Sequence, residues 1–533
     1  MLKGMVIKQM KSFPTSKIIT LLISLLLLFA ILSDTRTNLA KANPTTWIVD
    51  DDEPADFDRI QNAIDAAKSG DIIYVRRGTY FERINIHKSI TLQGEEMDST
   101  IIDGNGTGNV ISITASNVCV KGFTVRGSGK YYYSGIFIQP ASQGNVISNN
   151  KLIDNYHGIY VSSSNNQICD NIITSNYYGI HLYSFGNNTI SRNTIALNVN
   201  IGIFLASSLN NKISRNFISQ NILGVHLYYS RDNKFYGNNI SNNYCGAYLD
   251  SLSSNNIFYY NNFNDNTNHS WSDAANFWSL NGEGNYWDDY VGQDLNMDGI
   301  GDDPYIINEI NRDYNPFMGA FSDFDASFEG NTYSIKIVSN STISDFKFGV
   351  GEETGNKIIA FNVSNRYGSA GFCRIMIPTG LMKPPYDVLL DGVKIVPKNL
   401  TASIEGDVCL YFAYQTNHTV RIISSEMFQL YYELLNRYFE LRENFISLNN
   451  TFKSLFDDYA ALLNDYNSLV QNFNMLNESY QEHLSEYAQQ VQNYRSLLYI
   501  LCAIVGTFII ITVYLSKQAS QASGAHTKLL GKG

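Results

Sequence analysis

The sequence predicts a mainly β protein, in which a parallel β-helix is followed by an immunoglobulin-like β-sandwich, an α-helical coiled-coil stalk and one C-terminal transmembrane helix. Three patterns predict the β-helix, the stalk and the membrane helix. Asparagine recurs in a fixed register through residues 145–266, leucine recurs every seven residues through 434–476, and an uncharged apolar run occupies 497–515. The first pattern indicates stacked coils of short strands, the second a coiled coil, and the third a membrane span.

Length and composition limit the possible classes of protein. The chain contains 533 residues, of which 44% are apolar and 16% are charged. This length indicates more than one domain, and the composition excludes a disordered polyelectrolyte. The formal net charge of −11 argues against a nucleic-acid-binding surface, which needs clustered positive charge. The six cysteines are too few for a disulfide scaffold in a chain of this size.

Asparagine defines the repeat in the middle of the chain. The repeats begin at Asn145, Asn166, Asn188, Asn211, Asn233 and Asn256, spaced by 21–23 residues. Five residues after each stands a second asparagine: Asn150, Asn171, Asn193, Asn216, Asn238 and Asn261. Five further on stands a third: Asn155, Asn176, Asn198, Asn221, Asn243 and Asn266. Asparagine tolerates a left-handed backbone and forms ladders when stacked, so these three columns predict the turns of stacked coils.

Apolar residues keep the same register and predict the strands between the turns. Two residues after the first asparagine come Ile147, Ile168, Ile190, Ile213, Phe235 and Phe258, and seven after it come Leu152, Ile173, Ile195, Ile218, Ile240 and Phe263. After the third asparagine come pairs spaced by two, such as Ile159 with Val161. Spacing by two indicates a strand with one buried face, so the stacked coils share one continuous core.

This block resembles the right-handed β-helix repeats of NosD-like and other pectin-lyase-fold proteins. Upstream, residues 56–67 look like the amphipathic helix that caps such β-helices, and the segments that follow resemble its first coils. The resemblance covers roughly residues 45–318 and implies a right-handed parallel β-helix with an N-terminal capping helix, assigned here to 43–320. It leaves the activity open, because this fold hosts lyases, hydrolases, epimerases and proteins that only bind.

One predicted outward-facing set of side chains is aromatic. In the last strand of successive coils, the residue between the two buried ones is Tyr160, His181, Phe204, His226 or Tyr248, and Tyr183 and Tyr228 stand two residues further on. These seven residues form the predicted ligand-binding ribbon, because exposed rings offer stacking faces for sugars. A ladder of rings that only stabilises the sheet is the alternative, and the sequence leaves both open.

Catalytic and metal-binding side chains are sparse in the repeats. A glycoside hydrolase needs two carboxylates roughly 5–10 Å apart, and no two acids of the repeats share a column on neighbouring coils. The NosD resemblance would imply copper, which favours clustered His, Cys or Met. His181 and His226 share a column but stand two coils apart, roughly 9.6 Å by the strand spacing, with Phe204 between them. The sequence therefore names no catalytic residue and disfavours copper.

A calcium-like loop follows the repeats. Its predicted ligands are Asp294, Asn296, Asp298, the carbonyl of Ile300, and Asp302, with Gly299 at the position of the sharp turn. The loop resembles the calcium loops of dockerins and thrombospondin-type repeats, which implies Ca²⁺ as a cofactor; no organic cofactor is expected. Position 12 of the loop is Tyr305 rather than a bidentate glutamate, so an Asx-rich turn without metal is the alternative.

Both ends carry segments typical of an exported membrane protein. Residues 1–42 contain lysines, a 15-residue apolar run and a terminal A-x-A pattern, which predict a signal peptide, with an uncleaved anchor as the alternative. Residues 497–515 predict a transmembrane helix, with a buried soluble helix as the alternative. Lysines without acids follow, so 516–533 is predicted to be the cytoplasmic tail of a single-pass protein whose other domains are extracellular.

Residues 325–424 lack the asparagine register and predict an immunoglobulin-like β-sandwich, resembling a module of archaeal surface proteins. Alternating runs occur at Tyr333–Val338, Lys357–Val363, Cys373–Ile377, Tyr386–Leu390, Val408–Tyr414 and Thr419–Ile423. Cys373 and Cys409 stand in two of these runs. The sequence leaves a disulfide and two buried thiols equally open.

Residues 427–496 predict a coiled-coil stalk. Aromatic residues recur every seven positions from Tyr431 to Tyr480, and leucines follow three residues later from Leu434 to Leu476. This is an a/d seam that a lone helix cannot bury, so the stalk predicts a homo-oligomer. At about 1.5 Å per residue, the rod would be roughly 105 Å long.

Together these features predict a membrane-anchored cell-surface protein that binds an extracellular ligand, a glycan, without catalysis, in an adhesion or surface-layer role. The alternatives are a cell-surface polysaccharide-modifying enzyme (a lyase, hydrolase or epimerase) and a NosD-like, metal-related periplasmic protein. Ten N-x-S/T sequons fit an exported glycoprotein: Asn105, Asn187, Asn239, Asn268, Asn340, Asn362, Asn399, Asn417, Asn449 and Asn477. The predicted partners are the glycan, the membrane and further copies of the chain, but no nucleic acid.

Overall fold

The computed structural model describes residues 44–351, 355–365, 369–402, 406–424, 437–448, 469–482 without 472, and 506–517 without 508. The chain divides into two compact units, Met1–Ile257 with Phe263–Phe277 and Phe258–Asn262 with Trp278–Gly533. Strands dominate the described part, which confirms the mainly β prediction. The predicted signal peptide, 1–42, lies outside the described residues.

The first unit is built from short strands that follow one another around a coil. Its first strands are β1 (Thr46–Val49), β2 (Ile72–Val75), β3 (Gly78–Tyr80), β4 (Ile84–Ile86), β5 (Thr91–Gly94), β6 (Thr100–Asp103), β7 (Ile111–Ile113), β8 (Cys119–Lys121), β9 (Thr124–Arg126), β10 (Ser134–Ile138), β11 (Val146–Ser148), β12 (Lys151–Ile153) and β13 (His157–Val161). The later strands are β14 (Gln167–Cys169), β15 (Ile172–Thr174), β16 (Tyr178–Tyr183), β17 (Thr189–Ser191), β18 (Thr194–Ala196), β19 (Ile201–Ala206), β20 (Lys212–Ser214), β21 (Phe217–Ser219), β22 (Leu223–Tyr228), β23 (Lys234–Tyr236), β24 (Asn239–Ser241), β25 (Cys245–Leu249), β26 (Ile257–Tyr259), β27 (Asn262–Asn264) and β28 (Asn268–Ser272).

These strands stack into three parallel sheets. The first sheet contains β1, β2 and every third strand from β5 to β26; the second contains every third strand from β3 to β27; and the third contains every third strand from β4 to β28. Each coil therefore adds one strand to each sheet. Ile147, Leu152 and Ile159, one from each sheet of a single coil, are fully buried. The structure confirms the predicted parallel β-helix and its continuous apolar core.

Each asparagine column forms a ladder of buried hydrogen bonds, as Asn193 shows. Its Nδ2 donates to the backbone oxygens of Ile168 (2.9 Å) and Ser191 (3.1 Å) and to Oδ1 of Asn216 (3.0 Å). Its Oδ1 accepts from the backbone N–H (3.0 Å) and from Nδ2 (2.9 Å) of Asn171. Because one amide satisfies backbone groups of its own coil and of neighbouring coils, the ladders hold the turns at a fixed spacing.

The corners also explain the glycine of the repeat. The residues before the third asparagine column have a left-handed backbone with φ of 50–58°: Asp154, Ser175, Leu197, Gln220, Asn242 and Asp265. A glycine follows a few residues later, close to the neighbouring coil. A Cβ at Gly179 would lie 2.5 Å from the carbonyl oxygen of Gly202. A larger residue at this position would push the coils apart, so glycine recurs.

A short helix, α1 (Ile60–Ala66), packs at the N-terminal end of the β-helix. Ile60, Ala63 and Ile64 are fully buried. The carboxylate of Glu82 accepts from the backbone N–H groups of Ile60 (2.9 Å) and Gln61 (3.2 Å), which have no partner within the helix. The predicted capping helix is therefore present, with narrower bounds than 56–67.

The second unit contains three short strands and two five-stranded antiparallel sheets. The strands are β29 (Tyr286–Trp287), β30 (Tyr305–Ile306), β31 (Arg312–Asp313), β32 (Ala320–Phe328), β33 (Asn331–Ser339), β34 (Thr342–Val350), β35 (Lys357–Ser364), β36 (Ala370–Pro378), β37 (Tyr386–Leu390), β38 (Val393–Ile395), β39 (Lys398–Leu400), β40 (Asp407–Gln415) and β41 (His418–Ser424). The sheet orders are β32-β33-β36-β40-β39 and β34-β35-β41-β37-β38. Both sheets contribute to one apolar core, to which Ile337, Phe361 and Val420 belong. All six predicted strands are present, while the immunoglobulin-like assignment stays a prediction.

The two cysteines of this region are free thiols. Cys373 packs in the core that the two sheets share, whereas Cys409 belongs to a separate cluster with Phe372 and Met376. Burial raises the pKa of Cys409 to about 11, so the thiol stays protonated. Of the two alternatives that the sequence leaves open, the structure shows two buried thiols.

A buried ion pair also stabilises the second unit. Nη2 of Arg374 lies 2.6 Å from Oε1 of Glu283, and the two side chains are 4% and 2% exposed. Nη1 of Arg374 also donates to the carbonyl oxygen of Asp298 at 3.3 Å. Arg374 therefore joins β36 both to the segment before β29 and to the calcium-like loop.

The predicted stalk and membrane helix fall only partly on the described residues. Residues 437–448, 469–482 apart from 472, and 506–517 apart from 508 are α-helical. The seam residues Leu441 and Leu448 are more than two-thirds exposed in the single chain. Among the residues described, no helix is long and apolar enough to cross a membrane. The remainder of 427–496 and of 497–515 lies outside the described residues, so the coiled coil and the membrane helix stay predictions.

Candidate ligand-binding face

Seven ring side chains form one column on the outward face of the third sheet. This aromatic column consists of Phe137, Tyr160, His181, Phe204, His226, Tyr248 and Trp271, each paired with the next on adjacent strands. From Phe137 to Tyr248, neighbouring ring centroids are 4.6–5.2 Å apart. The structure thus brings together the five column residues of the predicted ribbon and adds Phe137 and Trp271, one at each end.

Exposed tyrosines line both margins of the aromatic column. Tyr183 and Tyr228, the other two residues of the predicted ribbon, are each 46% exposed, with Ala206 between them in register. On the opposite margin, the rings of Tyr156 and Tyr177 stack in parallel with centroids 4.9 Å apart. The column side chains themselves are half-buried, except for Trp271, which is 56% exposed. The result is a ring-covered strip along the β-helix rather than a closed pocket.

A histidine pair lies within this face, and sequence reasoning missed half of it. Nε2 of His157 lies 3.2 Å from Nδ1 of His181. Burial lowers the pKa of His157 to about 4, and burial together with the nearby His157 lowers the pKa of His181 to about 3. Both imidazoles are therefore neutral near pH 7. His157 starts its strand one residue before the glycine of the repeat, where the expected strand had not yet begun.

A raised loop adds three further tyrosines at the N-terminal end of the face. Tyr131 and Tyr132 are 70% and 83% exposed and have left-handed φ values of 59° and 70°. Both rings lie 6.2 Å from the ring of Tyr156, and Tyr133 is also exposed. A bulky residue in this backbone region costs on the order of 1–3 kcal/mol, and such strain is typical of functional loops. The sequence signal was the run of three tyrosines, which breaks the repeat.

Carboxylates are absent from the aromatic column, and the two outward positions that precede it, Asn85 and Ser112, are also uncharged. At the margin, the carboxylate of Asp250 accepts hydrogen bonds from the hydroxyl of Ser253 (2.6 Å) and the backbone N–H of Tyr229 (3.3 Å). On these described strands there is thus no pair of carboxylates of the kind that glycoside hydrolysis uses. The arrangement can stack and hydrogen-bond a ligand.

The calcium-like loop lies in the second unit and is closed by its own hydrogen bonds. Asp294 accepts from the backbone N–H groups of Asp298 (3.0 Å) and Gly299 (2.8 Å), and Asp302 accepts from that of Leu295 (2.7 Å). Nζ of Lys398 donates to the carbonyl oxygen of Asn296.

The carboxylates of the loop are not close enough together to coordinate one cation in this arrangement. Among the described residues, Asp294, Asp298 and Asp302 do not bring three oxygens within 4.8 Å of one another. Ile300, whose carbonyl is a predicted ligand, forms an isolated bridge with Phe317. Bound Ca²⁺ would require the carboxylates to rotate inward, and calcium binding stays a prediction.

A family model and a curated relative each match part of this chain. Residues 64–292 match the family model of the periplasmic copper-binding protein NosD. A cell surface glycoprotein of Methanothermus fervidus is 37% identical over 99 residues, which are 18% of this chain and 16% of the relative. The chain thus spans only a small part of that relative's length. Over residues 64–292, this chain is therefore similar to the NosD-like parallel β-helix family.

Solved structures with a similar fold are distant. A pectin methylesterase of Erwinia chrysanthemi is 12% identical, with a TM-score of 0.32, over 44% of this chain and 92% of that chain. The mannuronan C-5 epimerase A-module of Azotobacter vinelandii is 15% identical, with a TM-score of 0.27, over 42% and 94%. A pectate lyase is 14% identical, with a TM-score of 0.33, over 45% and 75%.

The histidines of the aromatic face, His157, His181 and His226, do not fit a copper site of ordinary composition. Copper is usually held by three or more His, Cys or Met ligands. His157 and His181 offer two nitrogens, and among the described residues no third His, Cys, Asp or Glu ligand atom lies within 4.8 Å of both. Phe204 stacks between His181 and His226, with centroid distances of 4.6 and 4.9 Å, and keeps His226 apart.

Proposed function

We propose that this chain is a membrane-anchored cell-surface protein whose β-helix binds an extracellular glycan along the third sheet without catalysis. The aromatic column, with exposed tyrosines on both of its margins, is the observation that carries the proposal. Sugars pack their C–H faces against aromatic rings, and tyrosine adds a hydroxyl that can hydrogen-bond at the edge of the contact. An open strip of this kind suits a chain-like ligand that extends over several coils.

The exposed tyrosines of the loop at the N-terminal end of the face favour binding over the alternative of a purely structural ladder. A ladder that stabilises the sheet needs only the cross-strand neighbours of the column. Tyr131 and Tyr132 are largely exposed, strained and outside the ladder. Contiguous exposed rings on a soluble surface mark interaction sites, because they leave apolar area in water. Binding of a ligand would bury that area.

Two comparisons support an extracellular setting. The NosD family is described as periplasmic, and the Methanothermus fervidus relative is a cell surface glycoprotein. Both descriptions agree with the predicted signal peptide 1–42 and the predicted membrane segment 497–515. A face lined with rings would meet polysaccharides of the cell envelope or of neighbouring cells in such a place.

A glycan array probed with the full chain, followed by titration of the best ligand, tests the proposal. Tyr183→Ala together with Tyr228→Ala should weaken binding, since each variant removes an apolar ring face that the ligand would bury. Phe217→Ala is the matched control, because Phe217 is an exposed ring on the second sheet. Equal losses in the two variants would count against this face.

The same ligand also tests the enzymatic alternative. A lyase, hydrolase or epimerase would shorten the bound polysaccharide or alter its sugars, whereas a binding protein leaves it intact. Mass analysis of the glycan after prolonged incubation with the full chain should return the starting material. New products would support the polysaccharide-modifying enzyme and would contradict the proposal.

We further propose that the stalk joins copies of the chain. The described parts of 427–496 are helical, and the seam leucines there are exposed in the single chain. Association would bury this seam and place several β-helices side by side, which increases avidity for a repetitive glycan. Sedimentation equilibrium of the full chain in detergent should give a dimer or trimer, and a monomer would contradict the proposal.

A further inference from the structure

A cleft opens at the N-terminal end of the aromatic column. Its volume is about 720 Å³, and its lining includes Arg83, Asn85, Asn109, Ser112, Lys130 and Tyr133. Asn85 and Ser112 are outward positions of the third sheet, and Ser112 pairs with Phe137, the first ring of the column. The cleft therefore continues the same strip by which the glycan is proposed to bind.

The charge of this cleft is opposite to that of the chain. Arg83 and Lys130 line it, no aspartate or glutamate does, and the whole chain has a net charge of −11. Several other cations of the first unit are paired with carboxylates, as Arg126 is with Asp103 (2.8 Å) and Arg192 with Asp170 (2.7 Å). Within the described residues, neither Arg83 nor Lys130 has a carboxylate within 4 Å. Two unpaired cations in one cleft favour an anionic ligand group.

The backbone of two neighbouring turns shapes the cleft around these cations. The N–H of Gly129 donates to the carbonyl oxygen of Gly108 at 2.8 Å, which joins the two turns. A Cβ at Gly108 would lie 2.4 Å from Nη1 of Arg83, and one at Gly129 would lie 2.6 Å from the ring of Tyr133. Glycine at both positions therefore leaves room for the guanidinium and the ring. Lys130 follows Gly129 directly and leads into the exposed Tyr131.

We propose that this cleft binds the anionic group of an acidic glycan, a carboxylate or a sulfate on a sugar ring, through Arg83 and Lys130. The inference rests on the proposed glycan-binding function and names its ligand class. The guanidinium can donate two parallel hydrogen bonds to a planar anion, and the ammonium adds a point charge. Asn85, Asn109 and Ser112 supply neutral groups for the neighbouring hydroxyls of the sugar.

The test uses polysaccharide pairs that differ only in charge. The full chain is titrated with polyglucuronate and with the carboxyl-reduced glucan of the same length, then with dextran sulfate and dextran. The acidic member of at least one pair should bind about tenfold more tightly, equivalent to about 1.4 kcal/mol, and added salt should reduce this preference. Which pair shows the preference distinguishes carboxylate from sulfate.

Variants that remove positive charge test whether the preference for the acidic polymer depends on Arg83 and Lys130. Arg83→Gln with Lys130→Gln should abolish it and leave the affinity for the neutral polymer unchanged, whereas Lys212→Gln, an exposed cation on the first sheet, should keep it. Lys130→Gln alone, at an exposed turn, serves if the double variant does not fold.

Each other outcome is decisive. Equal affinity for the charged and neutral polymers would overturn the anionic subsite while leaving the proposed glycan binding intact. A preference that survives in the double variant would place anion recognition elsewhere and also overturn it. Binding to none of the four polymers would overturn the subsite, and the glycan array decides the proposed function separately.

Discussion

The two units of this protein bury polar groups in opposite ways. From Asn145 onward, the β-helix buries a neutral group, the asparagine amide, in three columns along its coils. The second unit contains a buried charged contact, between Glu283 and Arg374, which are 91 residues apart in sequence. In the ladder around Asn193, each amide shares its hydrogen bonds with amides above and below. In the second unit, loss of either charge leaves the other buried without its partner.

This difference shows how each unit tolerates substitution. In a repeat fold, stability is close to a sum of similar nearest-neighbour contributions, so one lost amide weakens one corner. A buried ion pair gives little net stability by itself, but breaking it is costly, because desolvation of the remaining charge is no longer compensated. Substitutions in the two units should therefore differ in size and in whether a second substitution restores stability.

The largest effect is expected for Arg374→Met in the second unit. Met matches the length of the arginine stem but leaves the Glu283 carboxylate, 2% exposed, without its cation. The free energy of unfolding should fall by about 3–5 kcal/mol. The loss is measured by chemical denaturation, in which the fluorescence of the buried Trp278 and Trp287 reports unfolding. Adding Glu283→Leu should recover part of the loss; no recovery would mean that the cost comes from packing.

A smaller and more local loss is expected for Asn193→Ala in the β-helix. The change leaves the buried N–H of Asn171 without its acceptor, which costs about 1–3 kcal/mol for one unpaired group. Thermal unfolding measures the loss, with Thr194→Ala, a partly exposed neighbour, as the control. Equal melting temperatures for the parent and Asn193→Ala would mean that the ladders do not stabilise the coils.

The same contrast decides what the sequence could predict. The β-helix could be predicted because Asn145, Asn166 and their equivalents recur at a fixed spacing in the sequence. The Glu283–Arg374 pair was not, because no local pattern links residues so far apart. Strand β34 was missed for another reason: a bulge between Ser344 and Lys347 shifts its register and breaks the alternation on which strand prediction depends.

The candidate face was predictable only in part. Positions in the centre of the repeat, such as His181, followed from the register of their coil. Phe137 precedes the asparagine block, and Trp271 follows the last glycine of the repeat, so the pattern did not extend to them. Arg83 and Lys130 come together only because their coils stack, since they are 47 positions apart in the chain.

The histidine pair predicts a further loss of stability in acid. Unfolded histidine has a pKa near 6.5, whereas burial holds that of His157 at about 4 and that of His181 at about 3. Below pH 6.5 the unfolded chain therefore binds protons that the folded chain does not. The free energy of unfolding should fall by about 1.4 kcal/mol per pH unit for each histidine down to about pH 4.

His181→Phe isolates this effect from the titration of carboxylates elsewhere. The rings that face His181 are those of His157, Tyr160, Tyr178, Tyr183 and Phe204, so phenylalanine can keep the stack without a titrating group. Between pH 6 and pH 4.5 the variant should lose less stability than the parent in denaturant titrations. Parallel pH profiles for the two proteins would contradict the assigned pKa values.

The smallest effect is expected from calcium in the loop 294–302. Binding at ten times the dissociation constant would stabilise the second unit by only about 1.4 kcal/mol, and Lys398 already donates to a loop carbonyl and opposes a second cation.

Two variants of Asp298 test this prediction. Asp298→Asn removes a ligand charge but keeps an oxygen that can accept from the N–H of Ile300, which lies 2.8 Å from the Asp298 carboxylate in the parent. Asp298→Ala removes both. We expect calcium to raise the melting temperature of the parent alone, and only Asp298→Ala to be less stable in chelator. A parent that melts at the same temperature with calcium and with chelator would leave the loop as an Asx-rich turn.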